Sequence, residues 1–124
     1  MNILGGTIDM LRQATTFATR RHEVLAENVA NTDTPGFQAR DLTFEHELSL
    51  AQKVRALPMS TLPTPALDLR LVDAPDARMR PDGNNVDIDR QMTRIAQNAL
   101  YHNVVVQLLS SRFAALKTAI NGHS

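Results

Sequence analysis

The stretch at residues 27–37 constrains the fold most, because a long helical pattern stops inside it. Pro35 disfavours the α conformation at the residue before it, and Gly36 supplies the positive φ angle that a Pro-Gly turn favours. A helix that runs up to this turn must therefore end near Asn31. The turn then delivers Phe37 to one defined place.

Two asparagines stand in the last turn of that helix. Asn28 and Asn31 are three residues apart and so share one face. Their carboxamides can bond the departing backbone or a neighbouring chain. Asn is a poor helix former, so two in one turn are costly. A Pro-Gly pair alone is usually an ordinary helix stop, and only the whole string favours a functional interpretation.

An apolar stripe with alternating steps of four and three follows the N-terminal segment, which predicts a helix packed along a partner helix. Its middle is thin, because Thr15, Ala18 and His22 offer little apolar area and threonine lowers helix propensity. We therefore expect a helix that is marginal alone and forms when other helices cover it. The stripe consists of Leu4, Ile8, Leu11, Thr15, Ala18, His22, Leu25 and Val29.

A second stripe, towards the C-terminus, keeps the same alternation without a break. Residues 82–85 predict a turn before it, Asp87 and Asp89 suit a helix N-terminus, and Asn121-Gly122 suits its end. This stripe consists of Ile88, Met92, Ile95, Ala99, His102, Val106, Leu109, Phe113, Leu116 and Ile120.

The two stripes predict a mainly α fold, in which long N- and C-terminal helices pair as an antiparallel, coiled-coil-like hairpin. At 1.5 Å per residue the helices would be roughly 40 and 50 Å long. Their apolar faces are wider than one partner can cover, so we expect other subunits to cover the surplus in an open, head-to-tail array.

The middle of the chain is predicted to be largely irregular. A short helix fits residues 43–54, and prolines interrupt the pattern from residue 57 to residue 81. The alternation at residues 67–71 is typical of a brief edge strand. We divide the single domain, 1–124, into an N-terminal helix (1–31), a turn, short helix and Pro-rich loop (32–81), and a C-terminal helix (82–124).

Charge and composition exclude several function classes. Thirteen basic and thirteen acidic residues cancel without a block of like charge, which disfavours a nucleic-acid interface. No apolar run approaches the roughly 20 residues of a membrane span, so we expect no direct membrane insertion. The N-terminus lacks the features of a cleaved secretory signal, so we do not expect export by the general pathway. The absence of Cys excludes thiolate chemistry.

No catalytic, cofactor or metal site is predicted. The segment after Arg21 begins like a zinc-binding helix, but Ala26 stands where the second His is needed. His22 and His102 fall on the stripes, where a buried or interfacial imidazole is expected rather than a ligand. Residues 82–93 lack the Gly and the Glu of a calcium loop. The chain is therefore not expected to be an enzyme.

Asn-Val-Ala-Asn at residues 28–31 followed by Thr-Pro-Gly-Phe at 34–37 resembles the N-terminal signature of the axial rod and hook proteins of the bacterial flagellum. Residues 39–45 and 82–92 are similar to the corresponding segments of the most proximal rod protein, and the resemblance covers about two thirds of the chain. The signature residues are Asn28, Ala30, Asn31, Thr34, Pro35, Gly36 and Phe37.

The resemblance implies a structural subunit of the proximal rod in the basal body, which polymerises through its terminal helices and transmits torque from ring to hook. It implies as partners the chain itself, other rod proteins, the membrane ring, the rod-to-ring adaptor and the flagellar type III export apparatus. The resemblance also implies that the chain is synthesised in the cytoplasm and exported without a cleaved signal peptide into the periplasm-spanning rod. The alternative is a soluble helical adaptor or export chaperone.

Two sets of residues are expected to make these contacts. Phe44 and Leu48 share one face and resemble the short element by which early rod and hook subunits dock on the export gate. The expected assembly interface consists of Leu4, Ile8, Leu11, Leu25, Val29, Ile88, Met92, Ile95, Val106, Leu109, Phe113, Leu116 and Ile120.

Overall fold

A computed structural model describes residues 3–43, 69–74 and 78–122, with side chains from residue 6 onward. These ranges contain, in chain order, helix α1 (Ile3–Ala30), strand β1 (Arg40–Thr43), strand β2 (Arg70–Asp73) and helix α2 (Ile88–Asn121). The described part of the chain is thus mainly helical, as the two stripes predict. Phe44, Leu48 and most of the Pro-rich segment lie outside it.

Helices α1 and α2 pack against each other in opposite directions. Asn28 near the end of α1 contacts Gln91 in the first turn of α2, whereas Ala18 contacts Asn98 further along. With 28 and 34 residues, the helices are about 42 and 51 Å long. The predicted antiparallel pair is present, and α2 is the longer of the two.

Helix α2 starts and ends at the signals that the sequence carries at Asp87 and at Asn121-Gly122, inside the segment 82–124 assigned to it. Asp87 caps its N-terminus, because the carboxylate Oδ1 accepts hydrogen bonds from the backbone N–H groups of Asp89 at 3.0 Å and Arg90 at 3.3 Å. The helix ends at Asn121, directly before Gly122. The start of α2 is therefore stabilised by its own neighbouring residues.

Strands β1 and β2 form a two-stranded antiparallel sheet, with Arg40 opposite Asp73 and Thr43 opposite Arg70. The prediction of a helix from residue 43 is wrong at Thr43, which lies in β1, and residues 44–54 fall outside the described ranges. The predicted edge strand exists but begins at Arg70, three residues late. Tertiary contacts explain β1, because Leu42 is buried and the backbone of Arg40 is bonded by an α1 side chain.

The core of the described residues is small and unusually polar. A Phe17–Tyr101 edge-to-face pair, with centroids 6.5 Å apart, joins the helices. Buried carboxamides fill much of the remaining seam, so hydrogen bonds rather than apolar volume fix the packing. The buried apolar residues are Phe17, Ala18, Leu25, Ala39, Leu42, Val86 and Val105, and the buried polar ones are Asn28, Asn84, Asn85, Gln91 and Asn98.

The seam between the helices only partly follows the predicted stripes. Ala18 and Leu25 of the α1 stripe are buried. On α2 the buried side chains are Gln91, Asn98 and Val105, which repeat every seven residues but lie beside the stripe. The stripe of α2 is therefore turned partly towards solvent.

The two stripe histidines differ in burial. His22 is exposed in the single chain, because the seam follows Ala18, Leu25 and Asn28 instead, so of the two expected positions the interfacial one stays a prediction for this imidazole. His102 is half-buried, as expected for a residue at the edge of the seam.

Candidate functional site

The turn after α1, residues 31–37, satisfies its own polar groups. The Thr32 hydroxyl donates to the carbonyl of Val29 at 2.7 Å. The Asn31 carboxamide donates to Glu27 O at 2.8 Å and accepts from the Thr34 hydroxyl at 3.0 Å. These bonds cap the last carbonyls of α1. Nearby, Gly36 has a φ angle of +76°, which confirms the prediction from the Pro-Gly pair.

The Asn84 side chain holds that turn from a distant part of the sequence. Its Nδ2 donates to the carbonyl oxygens of Asn31, Thr32 and Thr34 at 2.9, 3.0 and 2.9 Å. Its Oδ1 accepts from the Val86 N–H at 2.8 Å, and the residue is fully buried. One carboxamide thus joins the end of α1 to the segment that leads into α2.

A second carboxamide extends this contact along the chain. Asn85 Oδ1 accepts from the Ala39 N–H at 2.7 Å, and Asn85 Nδ2 donates to Gln38 Oε1 at 2.8 Å. Gln38 in turn donates to the carbonyl of Gly83 at 2.7 Å. We call the docked pair of segments, residues 31–39 and 80–86, the clasp.

Two glycines meet at the centre of the clasp. The Gly36 N–H donates to the carbonyl of Asp82 at 2.8 Å. Gly83 has a φ angle of +82°, and a Cβ atom there would lie 3.3 Å from Gly36 Cα. A Cβ on Gly36 would meet nothing within 4 Å. Both positions favour glycine by conformation, but only Gly83 also favours it by space.

Asn28 connects three elements at the edge of the clasp. Its Nδ2 donates to Arg40 O at 2.6 Å and its Oδ1 accepts from Arg40 N at 3.1 Å, so the carboxamide pairs with β1 as a neighbouring strand would. The same Nδ2 donates to Gln91 Oε1 of α2 at 3.1 Å. The prediction that Asn28 bonds the departing backbone is confirmed.

A bidentate ion pair between Arg21 and Asp41 joins β1 to α1. Arg21 Nε and Nη2 donate to Asp41 Oδ1 and Oδ2 at 2.9 and 3.0 Å. Burial acts to raise the pKa of Asp41, but hydrogen bonds from Arg21 and from the Leu42 N–H, with the charges of Arg21 and Arg94, hold this pKa below its ordinary value. The pKa of Arg21 is raised mainly by its hydrogen bond to Asp41.

The other end of the helix pair is sparsely covered. Among the described side chains, none at residues 6–16 of α1 or 106–121 of α2 is buried. We call these two segments the open end. Phe113 is 51% exposed and Ile120 is 71% exposed, and Met10 and Leu108 are also exposed. Apolar side chains that form a contiguous patch on a surface are typical of interaction sites.

The residues expected at the assembly interface divide between these regions. Leu25 is fully buried within the chain. Most of the others keep part of their surface free for another chain, and nothing is described of the Leu4 side chain. Half-buried are Ile8, Leu11, Val29, Ile95, Leu109 and Leu116, and exposed are Ile88, Met92, Val106, Phe113 and Ile120.

Neither described helix is long and apolar enough to cross a membrane. Within the described ranges, no group of three or more His, Cys, Asp or Glu side chains is placed to bind a metal ion.

Three curated proteins that are similar to this chain carry the same name. No model of a protein family matches the chain. Curated proteins called "Flagellar basal body rod protein FlgB" are similar to it: 34% identical over 134 residues in Escherichia coli, covering 94% of each chain. The Bacillus subtilis protein is 30% identical over 127 residues, covering 98% of each chain. The Borrelia hermsii protein is 30% identical over 134 residues, covering 97% of this chain and 99% of its own.

Proposed function

Because the chain belongs to the FlgB family of flagellar basal body rod proteins, we propose that it is a structural subunit of the proximal rod, the drive shaft that transmits torque from ring to hook. The similarity extends over nearly the full length of this chain and of its Bacillus subtilis relative, so it is not limited to one segment. The family name describes a structural component, which agrees with the expectation that the chain is not an enzyme.

The uncovered apolar surface of the open end carries the proposal. The clasp fixes one end of the helix pair by hydrogen bonds, whereas Phe113 and Ile120 at the other end leave half or more of their surface exposed. Burying a side chain of this size contributes about 1.5–3 kcal/mol. Neighbouring subunits that cover the open end would gain this free energy at every copy, and head-to-tail contacts would extend the array.

The packing between subunits is proposed to be coiled-coil-like. The stripe of α2 lies beside the seam with α1, so Ile88, Met92 and Val106 remain available to a third helix. A stripe with four-three spacing suits packing of knobs into holes along such a helix. In the proposed architecture, the Pro-rich residues 57–81 form an irregular segment between the terminal helices.

Partners and location follow from the same proposal. The subunit would contact copies of itself, other rod proteins, the membrane ring and the rod-to-ring adaptor, within the periplasm-spanning rod. Export by the flagellar type III apparatus without a cleaved signal would bring it there. Phe44 and Leu48 stay the proposed contacts with the export gate, on the strength of their spacing alone.

A soluble helical adaptor or export chaperone is not favoured. The curated relatives are called rod proteins across three distant bacteria. An adaptor would also remain in a discrete complex, and its apolar surface would match one partner only.

The test replaces the apolar surface of the open end. In cells whose own rod protein is replaced by this chain, the double variant Phe113→Ser with Ile120→Ser should no longer copurify with basal bodies. The matched control is Ala114→Ser with Ala119→Ser, which alters exposed positions of the same helix turns and should copurify normally. Copurification of the double variant at the level of the control would refute assembly through the open end.

A further inference from the structure

We propose that the Asn121–Gly122 pair at the end of α2 is a site of spontaneous deamidation in the folded chain, whereas the related Asp82–Gly83 pair in the clasp is protected. Asn-Gly and Asp-Gly each occur once in the sequence. In both pairs a glycine follows, so no side chain shields the backbone nitrogen that would attack. The pairs differ in how the fold holds that nitrogen and the side chain before it. The inference concerns the single chain and does not depend on the proposed function.

The reaction at Asn121 needs no reactant other than water. The backbone nitrogen of Gly122 gives up its proton and attacks Cγ of Asn121, so that an N–Cγ bond forms, the Cγ–Nδ2 bond breaks and ammonia leaves. Water then opens the resulting five-membered succinimide at either of its two carbonyl carbons. One opening leaves an aspartate at position 121. The other leaves an isoaspartate, in which the backbone continues through the side-chain carbon. The net change is the addition of water and the loss of ammonia, without oxidation or reduction.

The end of α2 leaves the Asn121 carboxamide open to this attack. Asn121 is the last residue of the helix, and both it and Gly122 are exposed. No described residue is hydrogen-bonded to the Asn121 side chain. The last turn contains no basic residue, and the Thr118 hydroxyl bonds the carbonyl of Ala114, four residues back, which slightly weakens a helix. The helix end can therefore fray, and fraying lets the Gly122 nitrogen reach Cγ.

The fold also favours glycine at position 122. A Cβ atom there would lie 2.7 Å from the carbonyl oxygen of Thr118, which is closer than such atoms approach without a shift. A side chain that would shield the attacking nitrogen is thus disfavoured by the same close approach that ends the helix. The reactive pair follows from how α2 is terminated.

The clasp engages the corresponding groups of Asp82 and Gly83. The Gly83 N–H donates to the carbonyl of Arg80 at 2.8 Å, so the nitrogen that would attack is already bonded. Asp82 Oδ1 accepts from the Asn84 N–H at 3.1 Å. The carbonyl of Asp82 accepts from the Gly36 N–H at 2.8 Å. Ring closure at Asp82 would break this set of bonds, so we expect isoaspartate there only after the clasp has opened.

Deamidation would change the end of α2 directly. It places a negative charge at a helix C-terminus, where the helix dipole disfavours one. An isoaspartate also adds a backbone atom, so the hydrogen-bond pattern of the helix cannot continue through it. The last turn, which carries the exposed Ile120, would open as a result.

Mass spectrometry of the folded full chain tests the proposal. The chain would be incubated in mildly alkaline buffer and digested with trypsin, and a zero-time sample subtracts any reaction during digestion. The peptide that begins at Thr118 should gain the mass difference between NH2 and OH, faster as the pH rises. Electron-based fragmentation should find isoaspartate at position 121. Asn103 is exposed on the same helix but is followed by Val104, and it should stay unchanged.

Two comparisons make the test decisive. Asn121→Gln keeps a carboxamide but would have to close a six-membered ring, so this variant should lose the reaction. In urea, isoaspartate should appear at position 82 as well. If the folded chain stays unmodified at position 121 while a synthetic peptide of residues 118–124 reacts, the site is overturned. Isoaspartate at position 82 of the folded chain, formed as fast as in urea, would overturn protection by the clasp.

Discussion

Adding a single methyl group at either glycine of the clasp should have unequal effects. Gly36→Ala places a Cβ in open space, whereas Gly83→Ala places one 3.3 Å from Gly36 Cα and 3.6 Å from Gly36 N. Both residues keep a positive φ angle, at +76° and +82°. The conformational strain is therefore similar in the two variants, and the difference between their stabilities measures the effect of the close contact with the backbone of Gly36.

The magnitudes can be estimated from general values. In the folded state, the left-handed conformation costs Ala about 1–2 kcal/mol. In the unfolded state, Ala has less conformational freedom than Gly, and this difference stabilises the folded protein by about 0.4–1 kcal/mol. Gly36→Ala should then lower the free energy of unfolding by about 1 kcal/mol. A backbone atom cannot move aside as a flexible side chain does, so overpacking adds about 1–3 kcal/mol at Gly83. Gly83→Ala should therefore cost about 3 kcal/mol in total.

Urea and thermal unfolding, followed by circular dichroism, would measure the difference. At roughly 4 °C per kcal/mol for a chain of this size, Gly83→Ala should lower the Tm by about 12 °C and Gly36→Ala by about 4 °C. Equal losses for the two variants would show that the glycines do not meet in the folded protein. A larger loss for Gly36→Ala would mean that the clasp is packed differently.

Three further outcomes are expected. Asp41→Asn should lower the free energy of unfolding by about 1–3 kcal/mol, because it leaves Arg21 without its charged partner. Because the pKa of Asp41 is lowered from 3.8 in the folded protein, the ion pair should stabilise the wild type fully above about pH 4 and lose this effect in more acidic solution. Urea unfolding over this pH range measures both effects. Gly36→Val should abolish rod assembly with export retained, since a β-branched residue at positive φ is strained, and normal motility on soft agar would contradict this. Phe44→Ala should reduce secretion from cells blocked in rod assembly while Leu50→Ala does not, and equal secretion of both would reduce the segment to packing.

The helices could be predicted because their causes are local. Pro35 and Gly36 end one helical pattern, and Asp87 and Gly122 delimit the other through backbone rules that depend on near neighbours. The excess of apolar surface on α2 was also predictable, since it follows from the repeat alone.

The clasp and strand β1 could not be predicted, because their causes are distant in sequence. Asn84 reads as an ordinary turn residue, and only its contacts some 50 residues away give it a role. Strand β1 forms because Asn28 bonds Arg40 and because Leu42 finds a buried place, which overrides the helical spacing after it. The polar seam left one readable signal, since Gln91 and Asn98 stand seven residues apart, directly beside the apolar stripe.

The most direct measurement is photo-crosslinking in intact basal bodies. A photoreactive residue would replace Phe113 at the open end, or Ala26 near the clasp as a comparison, in cells that rely on this chain. Assembly through the open end predicts that position 113 crosslinks to other rod subunits in purified basal bodies, more strongly than position 26. Crosslinks from position 113 confined to its own chain, in a protein that fills its place in the rod, would contradict this assembly.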